Sequence, residues 1–299
     1  MDNINILLQA PILNVQLLLD GLMIGAIFAL AAYGLALVWG VMNVKNLAQG
    51  DFVIVGGYIG YALSEQGVHP IAALPIAAVV MFVFGWWMYR LVISRVVGRD
   101  LFASLLATFG LAIVLQQVMN LIFGPEVRTT ESGLQTHAIF GGLVTVAEIK
   151  LLSFCLAGVL AACVIVFMKR SRMGQAIRAT AQNARAARVL GIDTERVYAF
   201  TFALNAAICG AAGVLVVMIW VIQPYFGIVY AVRAFIIVVA AGLGNLPGVI
   251  IAGLALGAAE QFAGFILGAE FQVASVVTML LAVLVYRQMQ QAKLRQALQ

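Results

Sequence analysis

The chain has 299 residues, 64% of them apolar and only 10% charged, against roughly 25% charged in an ordinary soluble domain. That balance excludes a water-soluble globular protein and calls for a surface facing membrane lipid. The formal charge of +5 is not a nucleic-acid signal, because the cations lie in separate short loops beside apolar runs rather than on one basic face.

Nine candidate spans follow in chain order, at 17–42, 50–65, 70–89, 102–122, 150–168, 198–219, 229–243, 248–266 and 271–286. A helix needs roughly 20 apolar residues to cross a hydrocarbon core about 30 Å thick. The second and ninth spans fall short, so each must borrow interfacial residues or line a cavity. The uncharged run from Val197 to Val232 is too long for one crossing, and Pro224 with Gly227 in QPYFG breaks it after a helix ending near Ile219. Gly244 and Pro247 mark a second break in GLGNLPG, which must sit at an interface or inside protein. The expectation is an all-α, polytopic membrane protein of eight or nine crossings, with residues 1–299 forming one transmembrane domain.

Sorting the loops alternately from an outside N-terminus puts fourteen of the 17 Lys and Arg on one side and leaves Arg128, Lys150 and Arg233 on the other. Cytoplasmic loops retain Lys and Arg, so the N-terminus is expected outside and the C-terminus inside. Asp2 and the lack of a cation before the first apolar residues argue against a cleaved secretory signal. Cys155, Cys163 and Cys209 fall within spans, so no disulfide, metal or cofactor is expected.

Gly56 with Gly60, and Gly253 with Gly257, have the small-residue spacing of closely packed membrane helices. An echo between Asn46-Leu47 with Gly50 and Gly56, and Asn245-Leu246 with Gly248 and Gly253, hints at two related halves.

Polar groups inside spans are candidates for a solute path or for ties between helices. Glu260 lies about midway along its span; Gln116, Gln117 and Asn120 share another, and Asn205 lies on a third. Asn46, Gln49 and Asp51 stand at the start of the short second span. There they either cap a helix or border an internal vestibule made by a discontinuous helix.

The main internal loop, 169–197, holds SRMGQAIRATAQNARAARVLGID. Its Ala and Arg content predicts a helix from Gln175 to Leu190, stopped at Gly191 in a left-handed cap, with Asp193 capping the helix that re-enters the membrane. Its arginines either anchor the loop at lipid headgroups, or the helix docks into a groove on a soluble partner, with Ala186 and Ala187 allowing close approach. No Walker motif, HExxH pair or GxSxG elbow is present, and His69 and His137 fall in outer loops, so an enzyme is not expected.

This loop resembles the ATPase-coupling loop of bacterial ATP-binding-cassette (ABC) importer permeases, whose form is Glu-Ala-Ala, three residues, then Gly. Arg185, Ala186, Ala187 and Gly191 occupy that pattern, with Arg185 at the acidic place; Gly174 and Arg178 lie in the same segment. NLAQGDFVIVGGY (46–58), ATFGLAIVLQQ (107–117), QPYFG (223–227) and AFIIVVAAGLGNLPG (234–248) resemble the branched-chain amino acid permease family in the same order. Gln49 stands where that family usually has His, and a charged, Gln-rich tail follows Tyr286 in place of a Pro/Gly turn.

The resemblance implies an ABC importer permease fold in a bacterial inner membrane, with 169–197 as the coupling loop. It also implies three kinds of partner: cytoplasmic ABC ATPase subunits, a second identical or homologous permease subunit, and an extracytoplasmic solute-binding protein. ATP hydrolysis then belongs to the partner ATPase. The implied solutes are leucine, isoleucine and valine; related systems carry urea, short amides or carboxylates. Two other classes stay open: an ion-coupled secondary transporter using Glu260, and a scaffold with no solute flux.

Overall fold

Where apolar residues run without charge, the chain closes its backbone hydrogen bonds inside helices, as lipid requires. In the computed structural model, which describes residues 2–130, 136–139, 144–242, 244–272, 274–279, 281–282, 285 and 289, these are α1 (Asp2–Gln9), α2 (Pro11–Met42), α3 (Gln49–Glu65), α4 (Pro70–Leu91), α5 (Leu101–Phe123), α6 (Glu148–Arg170), α7 (Arg172–Gln182), α8 (Ala184–Val189), α9 (Thr194–Ile219), α10 (Gly227–Ala241) and α11 (Leu246–Leu267). Among the described residues, seven helices are long and apolar enough to cross a membrane. The short second span is the 17-residue α3. Of the expected ninth span, residues 272, 274–279, 281–282 and 285 are helical, and 273, 280, 283, 284 and 286 lie outside the described residues. The all-α expectation holds apart from one antiparallel hairpin in the loop after α5, β1 (Thr136–Ile139) with β2 (Val144–Ala147). Helix bounds differ chiefly at the ends: α2 starts at Pro11 rather than 17, because proline suits a first turn. Asp193 starts α9 at Thr194 rather than 198 by accepting a hydrogen bond from the Arg196 amide at 3.1 Å.

Two helices form the centre. In the most apolar window of α2 and α9, 89% and 83% of residues are buried, against 22–39% in the other five crossings. Around this pair the chain builds two units of the same plan. α3 and α4, which follow α2, pack on α9; α10 and α11, which follow α9, pack on α2. The units run in opposite senses, since the end of α2 and the beginning of α9 both lie beside α7. Gln16 bonds Thr145, and Asp20 pairs with Lys150, where α6 begins, which fixes the start of α2 at the other end of the bundle. This inverted arrangement is common in transporters. It pairs the break before α3 with the break at QPYFG before α10, not with Asn245-Leu246, which opens the full-length α11.

Small residues make the crossings close. Gly21 and Gly25 of α2 face Gly253 and Gly257 of α11, and a Cβ on Gly253 would stand 2.7 Å from Ala29 Cα. Gly56 of α3 meets Gly210 of α9 in the same way, and Gly60 meets Val214. Such seams replace the hydrophobic driving force, which lipid does not supply, with van der Waals contact.

Candidate functional site

Three places gather the residues singled out by sequence. The first is the segment from α6 to α9. The expected single helix from Gln175 to Leu190 is two helices, because Asn183 adopts an extended conformation and caps α8, its Oδ1 accepting from the Ala186 amide at 3.0 Å. Ser171 caps α7 through the Gly174 amide at 2.8 Å. The end of α8 is a Schellman turn: Ile192 N–H donates to the Ala187 carbonyl at 3.0 Å and Gly191 N–H to the Arg188 carbonyl at 3.1 Å, with Gly191 at φ +85°.

The result is a rigid elbow held by three side-chain caps. Gly174 is buried under the Phe167 and Met168 carbonyls, and Ala187 is 3% exposed and faces into the chain. Ala186 and Arg185 point outward. So do Val189 and Leu190, 83% and 82% exposed, which charge and motif reading passed over. Arg178 borders a cleft of about 530 Å³ with Gly244, Trp39 and Met168, so α7 packs on α2 and faces the GLGNLPG break across this cleft. Asn245 caps α11 through the Gly248 amide at 3.1 Å, and Pro247 sits harmlessly in its first turn.

The second place is the middle of the bundle. Gln49 Nε2 donates to the Ala31 carbonyl at 2.8 Å and to Asn205 Oδ1 at 3.0 Å. Ala31 stands about 16 Å of helix from the end of α2, and Asn205 about the same from the start of α9, at about 1.5 Å per residue. α3 therefore begins at mid-depth, and residues 43–48 run back to it as non-helical chain. Thr108 of α5 supports that chain, accepting from the Leu47 amide at 3.2 Å and lying 3.2 Å from the Lys45 carbonyl.

The first turn of α10 meets the first turn of α3 there: Gly227 packs on Gly50 and on the Asp51 side chain. The first turns of two helices thus converge on one carboxylate. Asp51 Oδ1 accepts from Gln116 Nε2 at 2.9 Å, and Asn46 Nδ2 donates to Gln49 Oε1 at 3.3 Å. Of the two expectations for Asn46, Gln49 and Asp51, a side-chain hydrogen bond capping α3 is absent, while Asp51 does meet helix first turns. The N-cap position is Ala48, with no side-chain cap; Gln49 and Asp51 bond residues of other helices, and Asn46 bonds Gln49 three residues on. Gln117 is exposed on α5 and stands apart from this network.

A prediction follows from the Asp51–Gln116 contact. Gln116→Leu leaves a buried carboxylate without its side-chain donor, a loss of about 1–3 kcal/mol. The unfolding midpoint of the purified protein in detergent should fall accordingly, whereas Asp51→Asn, which keeps a hydrogen-bonding partner for Gln116, should lower it less.

The third place is around Glu260, whose partner the sequence left unnamed. It is Arg233. Arg233 Nε donates to Glu260 Oε2 at 3.0 Å and Nη2 donates to Oε1, a bidentate pair whose members are 9% and 5% exposed. Charge sorting sets Arg233 with the outer loops and flanks, yet the expected 229–243 span contains it; it lies inside α10, because a cation can enter an apolar helix when a carboxylate on a neighbouring helix neutralises it. The available signal was its isolation between the uncharged runs 197–232 and 234–259. Its guanidinium carbon also lies 4.9 Å from the centre of the Phe28 ring, which stacks on Trp220 at 5.9 Å.

Residues 17–286 match the family described as branched-chain amino acid transport system / permease component. The chain is 29% identical over 286 residues to the high-affinity branched-chain amino acid transport system permease protein BraD of Pseudomonas aeruginosa, covering 91% of this chain and 93% of that protein. It is 31% identical over 286 residues to the permease protein LivH of the corresponding Escherichia coli K12 system, covering 90% and 92%. A probable branched-chain amino acid transport permease protein of Methanocaldococcus jannaschii is 27% identical over 87% of this chain and 84% of its own. No solved structure matches. With seven crossing-length apolar helices among its described residues and this match over nearly its whole length, the chain is a multi-pass inner-membrane protein and belongs to the branched-chain amino acid transport permease family.

Proposed function

We propose that the chain is the transmembrane permease subunit of an ATP-driven importer that carries branched-chain amino acids delivered by an extracytoplasmic binding protein. It works beside a second, identical or homologous permease subunit and above a pair of cytoplasmic ATPases, and it hydrolyses nothing itself. Residues 1–299 form one permease domain, with the N-terminus outside, the C-terminus inside, and 169–197 as the segment the ATPases grip.

The observation that carries this reading is the elbow of α7 and α8. Three side-chain caps and a Schellman turn fix it, yet its apex presents Val189 and Leu190 almost fully to solvent. Apolar side chains on a rigid, cation-rich protrusion suit a groove on a soluble partner. The same elbow packs on α2 and α9, the central helix of each unit, so a push on α8 reaches both inverted units at once. Arg178, Arg185, Ala186 and Gly191 belong to this lever; Gly174 and Ala187 support it from beneath. The Asn46, Gln49, Asp51 and Gln116 cluster marks the mid-depth meeting of the units, where the path between them opens and closes.

Glu260 supports the ion-coupled alternative poorly, because a carboxylate neutralised by an arginine is a weak carrier of a coupling proton. The test is uptake of radiolabelled leucine into liposomes holding the complete importer. Uptake should require ATP and the binding protein and should survive an uncoupler. Uptake that persists without ATP and collapses with the uncoupler would contradict the proposal.

A further inference from the structure

A cavity of about 300 Å³ opens where α2, α10 and α11 meet beyond the end of α9. Its size lies at the lower end of the range for small-molecule sites, about 300–1,000 Å³. The wall includes the aromatic faces of Phe28, Trp220 and Tyr230, the amides of Gln261 and Gln272, and two charged groups, the Arg233 guanidinium and the Glu260 carboxylate. A cation and an anion side by side, beneath an apolar wall, form the complement of an α-amino acid zwitterion with an aliphatic side chain.

Resting on the importer reading above, we propose that this cavity is the point on the path where the permease recognises its solute, and that it selects zwitterionic aliphatic amino acids. The solute carboxylate takes the Arg233 fork, its ammonium takes Glu260, and its side chain lies against Phe28 and Trp220. One internal ion pair is thereby exchanged for two solute–protein pairs, so no buried charge is left unpaired during the exchange. The site is poised for this in two ways. The pair is nine-tenths buried yet lines an open cavity, and the Gly21/Gly25 seam with Gly253/Gly257 draws the α11 backbone close enough for Glu260, one turn on, to reach α10. Neither urea, a neutral amide nor a simple carboxylate can satisfy both charges.

The rival reading is a helix-to-helix tie with no solute contact. Replacing one partner alone strands a charge and endangers folding, so the test uses the double variant Arg233→Gln/Glu260→Gln in the complete importer, reconstituted with its binding protein. Leucine uptake should fall by at least about tenfold, the equivalent of about 1.4 kcal/mol, while membrane abundance and the ATPase stimulation by loaded binding protein stay at wild-type values. Uptake within about twofold of wild type would overturn the proposal.

A second measurement does not depend on that variant. With Val229→Cys in the cavity wall, leucine should slow modification by a small charged thiol reagent, and 4-methylpentanoate, which lacks the ammonium, should not. Equal rates with and without leucine would also overturn it. If the wild-type complex itself carries no branched-chain amino acid, the importer reading fails first; if the wild type carries leucine and the variants behave like it, only the cavity assignment fails.

Discussion

Gly50→Ala should remove most of the folded protein from the membrane. At that position a methyl group would overlap the Gly227 carbonyl oxygen and stand 2.6 Å from the Ala231 amide. Both obstacles are backbone, at the point where the first turns of α3 and α10 meet, so no side chain can move aside. Separating the two turns would also pull Asp51 away from the α10 N-terminus and stretch its 2.9 Å contact with Gln116. Overpacking of a tight core costs about 3 kcal/mol at the upper end of its usual range, which lowers the folded-to-unfolded ratio about a hundredfold and removes a large share of a marginal stability. Gly110→Ala on α5 is the control. A Cβ there meets nothing within 4 Å, and alanine gains up to about 1 kcal/mol of helix propensity. Size-exclusion profiles of fluorescently tagged protein in detergent should show the first variant aggregated or absent and the second at wild-type level.

Leu190→Asp should abolish transport without touching the fold. Leu190 is 82% exposed, so within this chain the change is worth no more than about 0.5 kcal/mol. In a docked complex the same residue would place a charge in an apolar groove. Loss of a central apolar contact costs about 2 kcal/mol or more, which is about thirtyfold in affinity for the ATPase. ATP-driven uptake and ATPase stimulation by loaded binding protein should fall together, with normal amounts of protein in the membrane. Gly191→Val should give the same phenotype by another route. Its φ of +85° is strained for a branched side chain, so the turn that fixes the end of α8 opens although a Cβ there meets no atom. Ala187→Glu, the substitution that the Ala-Ala motif suggests, tests folding instead, because Ala187 is 3% exposed and faces the interior.

These contrasts mark how far the sequence reaches. Hydropathy and charge locate eight of the expected spans, because length and the absence of charge are local properties that lipid enforces. Local chemistry also foretold the Gly191 turn and the Asp193 cap, since both are settled within a few residues. Asn183 was legible too, as a residue that caps helices more readily than it continues them, yet the surrounding Ala and Arg masked it. What sequence could not give were partners distant along the chain. Gln116 lies 65 residues from Asp51, and Asn205 lies 156 from Gln49, so neither contact leaves a periodic trace. Charge counting sets every arginine beside a loop, whereas Glu260, 27 residues on, makes the place of Arg233 within the 229–243 span tolerable. The inverted units were hidden for the same reason: their likeness lies in where each helix breaks, at 43–48 and at QPYFG, not in shared residues.

In the proposed importer the elbow of α7 and α8 lies in the cytoplasm, held there by the ATPase. Leu190→Cys reports on it directly, read against the wild-type background of Cys155, Cys163 and Cys209. In intact cells a membrane-impermeant maleimide should leave Cys at 190 unmodified. Once the membrane is opened, that thiol should react, and in the assembled importer a short bifunctional reagent should join it to the ATPase subunit. Modification of position 190 in intact cells would place the elbow outside and contradict the account.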